Sequence, residues 1–424
     1  MWWTIHLDGG PKRVNHAAVA VGDKIFSFGG YCSGNDYDSK KDMDVFVLDT
    51  LTNRWYNLSE IKPKRSKYWS TKNQMLRPSF FRRRAVQSGE EDKSEEEDNA
   101  VVDENEHPFL AVMHETTLRS KKDAPNQRYG HTVVAYNNLI YLWGGRNDQY
   151  GSSSTLHEFN PATKKWRIVP TEGYLPSARD GHSAVIWGSS MFIFGGFEYS
   201  SSLFSNDVYE FSFESSTWKT VRTSGKTPSP RDFHASCVVG NKMYVFGGRG
   251  DDNDEYYCDK LFYLDLDTKI WAVVETKGDI PKGRRSHTIW NHQDKLYMFG
   301  GFESKNDSHF NDLYRFDPTS STWTRILADG QSPCPRRRHC ACLVDHRVFI
   351  FGGTTPCKSK PRRELTDLAD LHVLDHSPSL KMLATRKLLE CRFKLEKLPF
   401  LGQVGNHIRN CAMPNQLTPV NPNV

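Results

Sequence analysis

Six times along the chain an arginine is followed three residues later by a histidine: Arg13/His16, Arg128/His131, Arg179/His182, Arg231/His234, Arg284/His287 and Arg336/His339. A guanidinium is a planar fork that pairs bidentately with a carboxylate. Six of them ringing a channel mouth would suit the carboxylate end of a peptide. The repetition has an equally direct structural reading: an arginine present in every unit is held by its own neighbours, with Asp180 or Asp232 as partners. Both readings stay open for Arg179 and Arg231. Basic residues that break the repeat are sharper candidates. Arg146 and Arg249 directly follow a Gly-Gly pair, where the other repeats carry Tyr31, Phe197, Phe302 and Thr354; Arg285 and Arg337 double the arginine of the fifth and sixth loops. The candidate ligand-binding set is therefore Arg249, Arg285, Arg146, Arg231, Arg179 and Arg337. His339, Cys340 and Cys342 would be the natural place for a metal. However, Cys340 and Cys342 stand two apart on an expected inner strand and read as buried thiols. No nucleophile–base–acid set or phosphate-binding loop stands out, so the chain reads as non-enzymatic, with no metal and no cofactor.

These residues sit in a repeat. Gly-Gly after an apolar run recurs at 29–30, 144–145, 195–196, 247–248, 300–301 and 352–353, with spacings of 51, 52, 53 and 52 after the second pair. A tryptophan opens a later run at Trp55, Trp166, Trp218, Trp271 and Trp323, and the last four stand 13 residues before the next loop arginine. Each unit reads as four short strands separated by turns. Paired glycines allow positive φ and close backbone approach where units crowd; the tryptophan fills the wedge between neighbours. The sixth unit lacks its tryptophan strand, whereas Trp3-Thr4-Ile5-His6-Leu7 stands ten residues before Arg13. The N-terminus is expected to supply that strand and close the ring, which removes exposed edges. The period and signature resemble the kelch repeat. That resemblance implies an all-β fold, a six-bladed propeller closed by its N-terminal strand.

Composition fits one ring with two appendages. The chain has 424 residues, 37% hydrophobic and 12% aromatic, enough for a core. Mean hydropathy is −0.64, no window resembles a membrane span or signal peptide, and nine cysteines without a framework spacing fit a reducing compartment. The reading divides the chain into 1–59 (first blade plus the closing strand), 60–127 (insertion), 128–376 (blades two to six) and 377–424 (tail). The insertion carries 13 basic and 13 acidic residues in blocks and reads as a disordered linker. The tail has seven basic and two acidic residues, which accounts for the net charge of +5. After Ser379, a natural N-cap, Leu380, Ala384 and Leu388 recur at helical spacing.

Ser379, Leu380, Ala384 and Leu388 resemble the elongin-binding box of cullin-RING ubiquitin ligase receptors. Leu398-Pro399 resembles the start of a cullin-2-type box, although Gly402 replaces the aliphatic residue expected there. Together with the repeats, this is similar to the kelch-repeat substrate receptors of cullin-2 ligases. The resemblance implies partners elongin B/C and cullin-2 with its RING subunit, residence in cytoplasm and nucleus, and association with meiotic chromatin. It also implies substrates with C-terminal glycine degrons, whose terminal carboxylate meets the positions of Arg249 and Arg285. The alternative is a kelch scaffold that binds chromatin or cytoskeletal proteins without ubiquitin chemistry.

Overall fold

The computed structural model describes residues 1–31, 41–58, 123–251, 257–357, 364–390 and 418–419. The expected linker core (60–122) and Leu398-Pro399 lie outside them, as does the side chain of Leu388. Residues Pro125–Gln127, counted with the insertion above, pair with the first blade: Met43 N donates to Pro125 O at 2.8 Å and Gln127 N to Lys41 O at 2.9 Å.

The described chain forms six antiparallel sheets of four principal strands each. The third blade is representative. Its strands Ser183–Trp187, Ser190–Phe194, Val208–Ser212 and Thr217–Thr220 pair in chain order from the axis outward. The six innermost strands (Ala17–Val21, Tyr129–Tyr136, Ser183–Trp187, Ala235–Val239, Thr288–His292, Cys340–Val344) touch one another in a closed cycle. This is a six-bladed β-propeller.

The N-terminal strand Trp2–His6 pairs with Leu371–Asp375 as the outer strand of blade six. Its register corrects the sequence reading by one residue. Trp2 lies opposite Leu374, as Trp323 lies opposite Phe316. Trp2 also packs on Phe299 of the preceding blade (centroids 5.2 Å apart), as Trp323 packs on Phe246 at 5.7 Å. Trp2, not Trp3, is therefore the repeat tryptophan. Trp3 faces the other way, into a cluster with Trp55, Phe349 and Val373, because side chains alternate along a strand.

The inter-blade wedges form the core. Trp55, Trp218, Trp271 and Trp323 are all at most 2% exposed, and Trp271 lies 5.0 Å from Phe194 of blade three. The first glycine of each pair explains the motif. At Gly144, φ is +73°, and an added Cβ would lie 2.4 Å from Cε1 of His182 in the next blade. The chain leaves blade six through Asp375 into the helix Leu380–Glu390, where Ser379 Oγ accepts from Met382 N at 3.2 Å as an N-cap. Met382 packs on the Trp55 cluster, whereas Leu380 (85%) and Leu383 (42%) are exposed, as is Ala384. No helix among the described residues is long and apolar enough to cross a membrane.

Candidate functional site

Each Arg-x-x-His loop places its four residues at different depths. The first-position arginines do not ring the mouth. Arg179, Arg284 and Arg336 are 0% exposed and Arg231 is 2% exposed. Each turns its guanidinium into its own blade and donates to the carbonyl of the first paired glycine: Arg179 to Gly195 at 3.1 Å, Arg231 to Gly247 at 3.0 Å, Arg284 to Gly300 at 3.0 Å. Arg179 completes its set with Glu198 at 2.5 Å, and Arg231 with Ser229 Oγ at 2.8 Å. Arg284 forks onto Asp312 and Arg336 onto Asp370. Arg179 and Arg231 are thus wall elements, and the expected pairing with Asp180 or Asp232 does not occur. Burial demands this arrangement: a guanidinium taken out of water must spend its donors on fixed acceptors.

The histidines are buried as well, beside the axial cavity. His16, His131, His182, His234, His287 and His339 are each at most 7% exposed, and burial pushes their pKa values well down, to about 3 for His234. Cys340 and Cys342, at most 8% exposed, are the buried thiols expected; burial raises both, Cys342 to about 12. Among the described residues no cluster of ligating side chains could hold a metal.

The third-position residues Asn15, Gly130, Gly181, Phe233, Ser286 and Arg338 line the channel, in a cavity of about 130 Å³. All six have positive φ, between 49° and 68°. Five are small, amide-bearing or aromatic; one is cationic. The sequence reading missed Arg338. Its signal was visible in Arg336-Arg337-Arg338-His339, where the third loop position carries a charge seen in no other blade.

The second-position residues and the residues after Gly-Gly, noticed separately in the sequence, prove to be antiparallel partners in every blade. The pairs are Val14/Tyr31, Tyr129/Arg146, Asp180/Phe197, Asp232/Arg249, Arg285/Phe302 and Arg337/Thr354. Each blade thereby presents one variable two-residue unit beside the channel. Asp232 accepts a bidentate fork from Arg249 (2.6 and 3.2 Å). Arg146 donates to the hydroxyls of Tyr129 and Tyr199 and faces Asp148 at 3.2 Å. Arg285 and Arg337 both lie against the ring of Phe302, at 5.5 and 4.1 Å from its centroid. The Nε atoms of Arg285 and Arg337 are buried with no acceptor among the described residues. Burial, then the charges of Arg338 and Arg285, lower Arg337 to about 10. Burial, then Arg285, likewise lowers Arg338. Guanidiniums from blades four, five and six thus repel one another around the mouth, an arrangement that an incoming anion relieves. In the neighbouring blade three Asp180 is raised to about 6 mainly by burial, and in blade two Asp148 faces Arg146.

The repeat, the sheets and the ring find their counterpart in known sequences. The family model described as KLHDC2/KLHL20/DRC7 Kelch-repeats domain matches residues 116–353, and the Kelch motif model matches residues 12–62. The chain belongs to the kelch-repeat family. Kelch domain-containing protein 3 of Rattus norvegicus is 37% identical over 406 residues, 94% of this chain and 93% of that protein. The Homo sapiens protein of the same name gives the same figures. Host cell factor 2 of Homo sapiens is 32% identical over 257 residues, 56% of this chain and 32% of that one.

Proposed function

We propose that this kelch chain is the non-catalytic substrate-recognition subunit of a cullin-2–elongin B/C RING ubiquitin ligase. In this reading its channel mouth binds the carboxylate of proteins ending in glycine. The guanidinium cluster of Arg249, Arg285, Arg337 and Arg338, in which the buried Nε atoms of Arg285 and Arg337 have no acceptor among the described residues, carries the reading. A terminal carboxylate has two oxygens and the single negative charge that such forks accept. Glycine, with no side chain, lets the backbone reach a carboxylate site recessed beside Phe302. The likeness to kelch domain-containing protein 3 over nearly the whole chain supports the tail assignment. So does the exposure of Leu380 and Ala384 on a helix whose Met382 is packed on the ring. The protein performs no bond chemistry; it positions a substrate near a ubiquitin-loaded enzyme and so raises effective concentration. The reading places the chain in cytoplasm and nucleus.

Two measurements test it. A fluorescent peptide ending in glycine should bind the wild-type chain, and its C-terminal amide should not. Arg249→Ala and Arg285→Ala should each weaken binding by about 2–5 kcal/mol. Equal affinity of acid and amide would remove the carboxylate from the mechanism. Elongin C should co-purify with the wild-type chain but not with Leu380→Ala/Leu388→Ala; absence from the wild-type sample leaves the scaffold reading in its place.

A further inference from the structure

The outer edges of blades three to six are covered. In blades three, four and five the linker arriving from the preceding blade lays two residues, in parallel, along the outermost strand. Glu172–Gly173 pairs with Thr217–Trp218, Ser224–Gly225 with Ile270–Trp271, and Lys277–Gly278 with Thr322–Trp323. Blade six receives the same treatment in reduced form, with Trp2 N donating to Asp329 O at 2.6 Å beside Gly330. Glycine is required there: a Cβ on Gly173, Gly225 or Gly278 would stand 2.2 Å from a tryptophan carbonyl oxygen. An unpaired edge strand is a template for foreign strands, and these linkers cover it.

Blade one cannot be covered this way. Thirteen residues separate the repeat tryptophan from the next loop arginine ahead of blades three to six, whereas Trp2 to Arg13 is only eleven. Among the described residues the shorter linker forms no strand pair with blade one; His6 Nε2 instead meets Asn53 O at 2.8 Å, and Gly10 N turns inward to Ala369 O at 2.8 Å. A segment from elsewhere pairs with the outer strand Arg54–Asn57, two residues beyond the position that the linkers take in blades three to five. Thr418–Pro419 lies parallel to it, with Thr418 opposite Tyr56 and Pro419 opposite Asn57. A second fastening lies in the adjoining core, since Met382 of the tail helix packs on the cluster that contains Trp55.

We propose that the outer edge of blade one is a docking slot for an extended strand, occupied in cis by the C-terminal segment around Thr418–Pro419. Together with Met382, this segment fastens the tail to the ring at two points. Backbone pairing supplies the affinity, as in strand addition generally. The tail therefore doubles as a strap on the blade that begins the ring, whatever partner it meets.

Hydrogen exchange read by mass spectrometry tests the strap. In the full chain, the amides of residues 54–58 should exchange at least tenfold more slowly than in a chain lacking residues 415–424. Residues 217–220 of blade three should not change. A synthetic peptide of residues 412–424, added in trans to the shortened chain, should restore protection; a scrambled peptide should not. Equal exchange at 54–58 in the two chains overturns the proposal. If truncation loosens the whole ring, so that both segments speed up, a second variant decides. Tyr56→Cys/Thr418→Cys in the full chain should form an intrachain disulfide under diamide, because paired strand positions bring Cα atoms within bonding range. Failure of the 56–418 cross-link to form overturns it as well. Neither readout depends on elongin, so a failed ligase assignment leaves this result intact.

Discussion

The backbone N–H of Asn15 donates to the carbonyl oxygen of Arg338 at 3.1 Å, and this bond closes a circle. Gly130 donates to Asn15, Gly181 to Gly130, Phe233 to Gly181, Ser286 to Phe233 and Arg338 to Ser286, at 2.7–3.0 Å. Six blades are thus joined around the axis by one backbone hydrogen bond each, head to tail. The circle needs positive φ at all six positions, which puts the amide and carbonyl of each residue in line with its neighbours. Arg338 is consequently held at the centre by its backbone, and the residue lines the axial cavity.

Arg338→Gly should separate these two roles. Glycine adopts φ of +61° without the Cβ penalty, so stability should stay within about 1 kcal/mol of wild type in chemical denaturation. Affinity for a glycine-ended peptide should fall about 10- to 100-fold, the worth of one hydrogen bond to a charged group. Unchanged affinity would show that the ligand does not reach the axis.

Neighbouring arginines in the fifth loop should behave oppositely. Arg284→Ala removes the partner of Asp312 and three buried donors, and should cost about 3–5 kcal/mol of stability. Arg285→Ala should cost less than about 1 kcal/mol yet weaken peptide binding. Denaturant midpoints measured beside fluorescence polarisation distinguish the two.

Glycine substitutions should sort by what stands behind them. Gly144→Ala drives a methyl into His182 Cε1 at 2.4 Å and should cost more than about 2 kcal/mol. Gly240→Ala, at φ +60° with nothing within 4 Å of its Cβ, should cost only the backbone penalty of about 1 kcal/mol. Thermal melts of both variants check the contrast; equal losses would mean that crowding by the next blade is not the reason for the paired glycines.

Asp180 gives the fold a pH signature. Burial raises it from 3.8 to about 6, with Asp232 adding to the rise and Arg146 opposing it. A carboxyl raised in the folded state favours folding while protonated. That contribution is present below about pH 3.8 and is lost as pH rises through 6. Asp180→Asn should therefore melt about 2–4 °C above wild type at pH 7.5, and the difference should shrink to nothing near pH 4. A constant difference across that range would place the proton elsewhere.

The sequence by itself determined the six units, their four strands, the closure by the N-terminus and the N-cap at Ser379. All of these are written as periodicity, glycine pairs and turn residues, which act locally or between adjacent repeats. It could not determine which arginine of a run faces solvent. Arg284 and Arg285 are chemically alike and adjacent, yet one is sealed against Gly300 and Asp312 while the other rests on Phe302. Alternation along the backbone, combined with the curvature that wraps six sheets about one axis, decides burial there. The same holds for the register of Trp2 over Trp3, for the meeting of each second-position residue with the residue after Gly-Gly, and for Thr418 beside Tyr56. Such contacts join segments up to hundreds of residues apart, and only closing the ring brings them together.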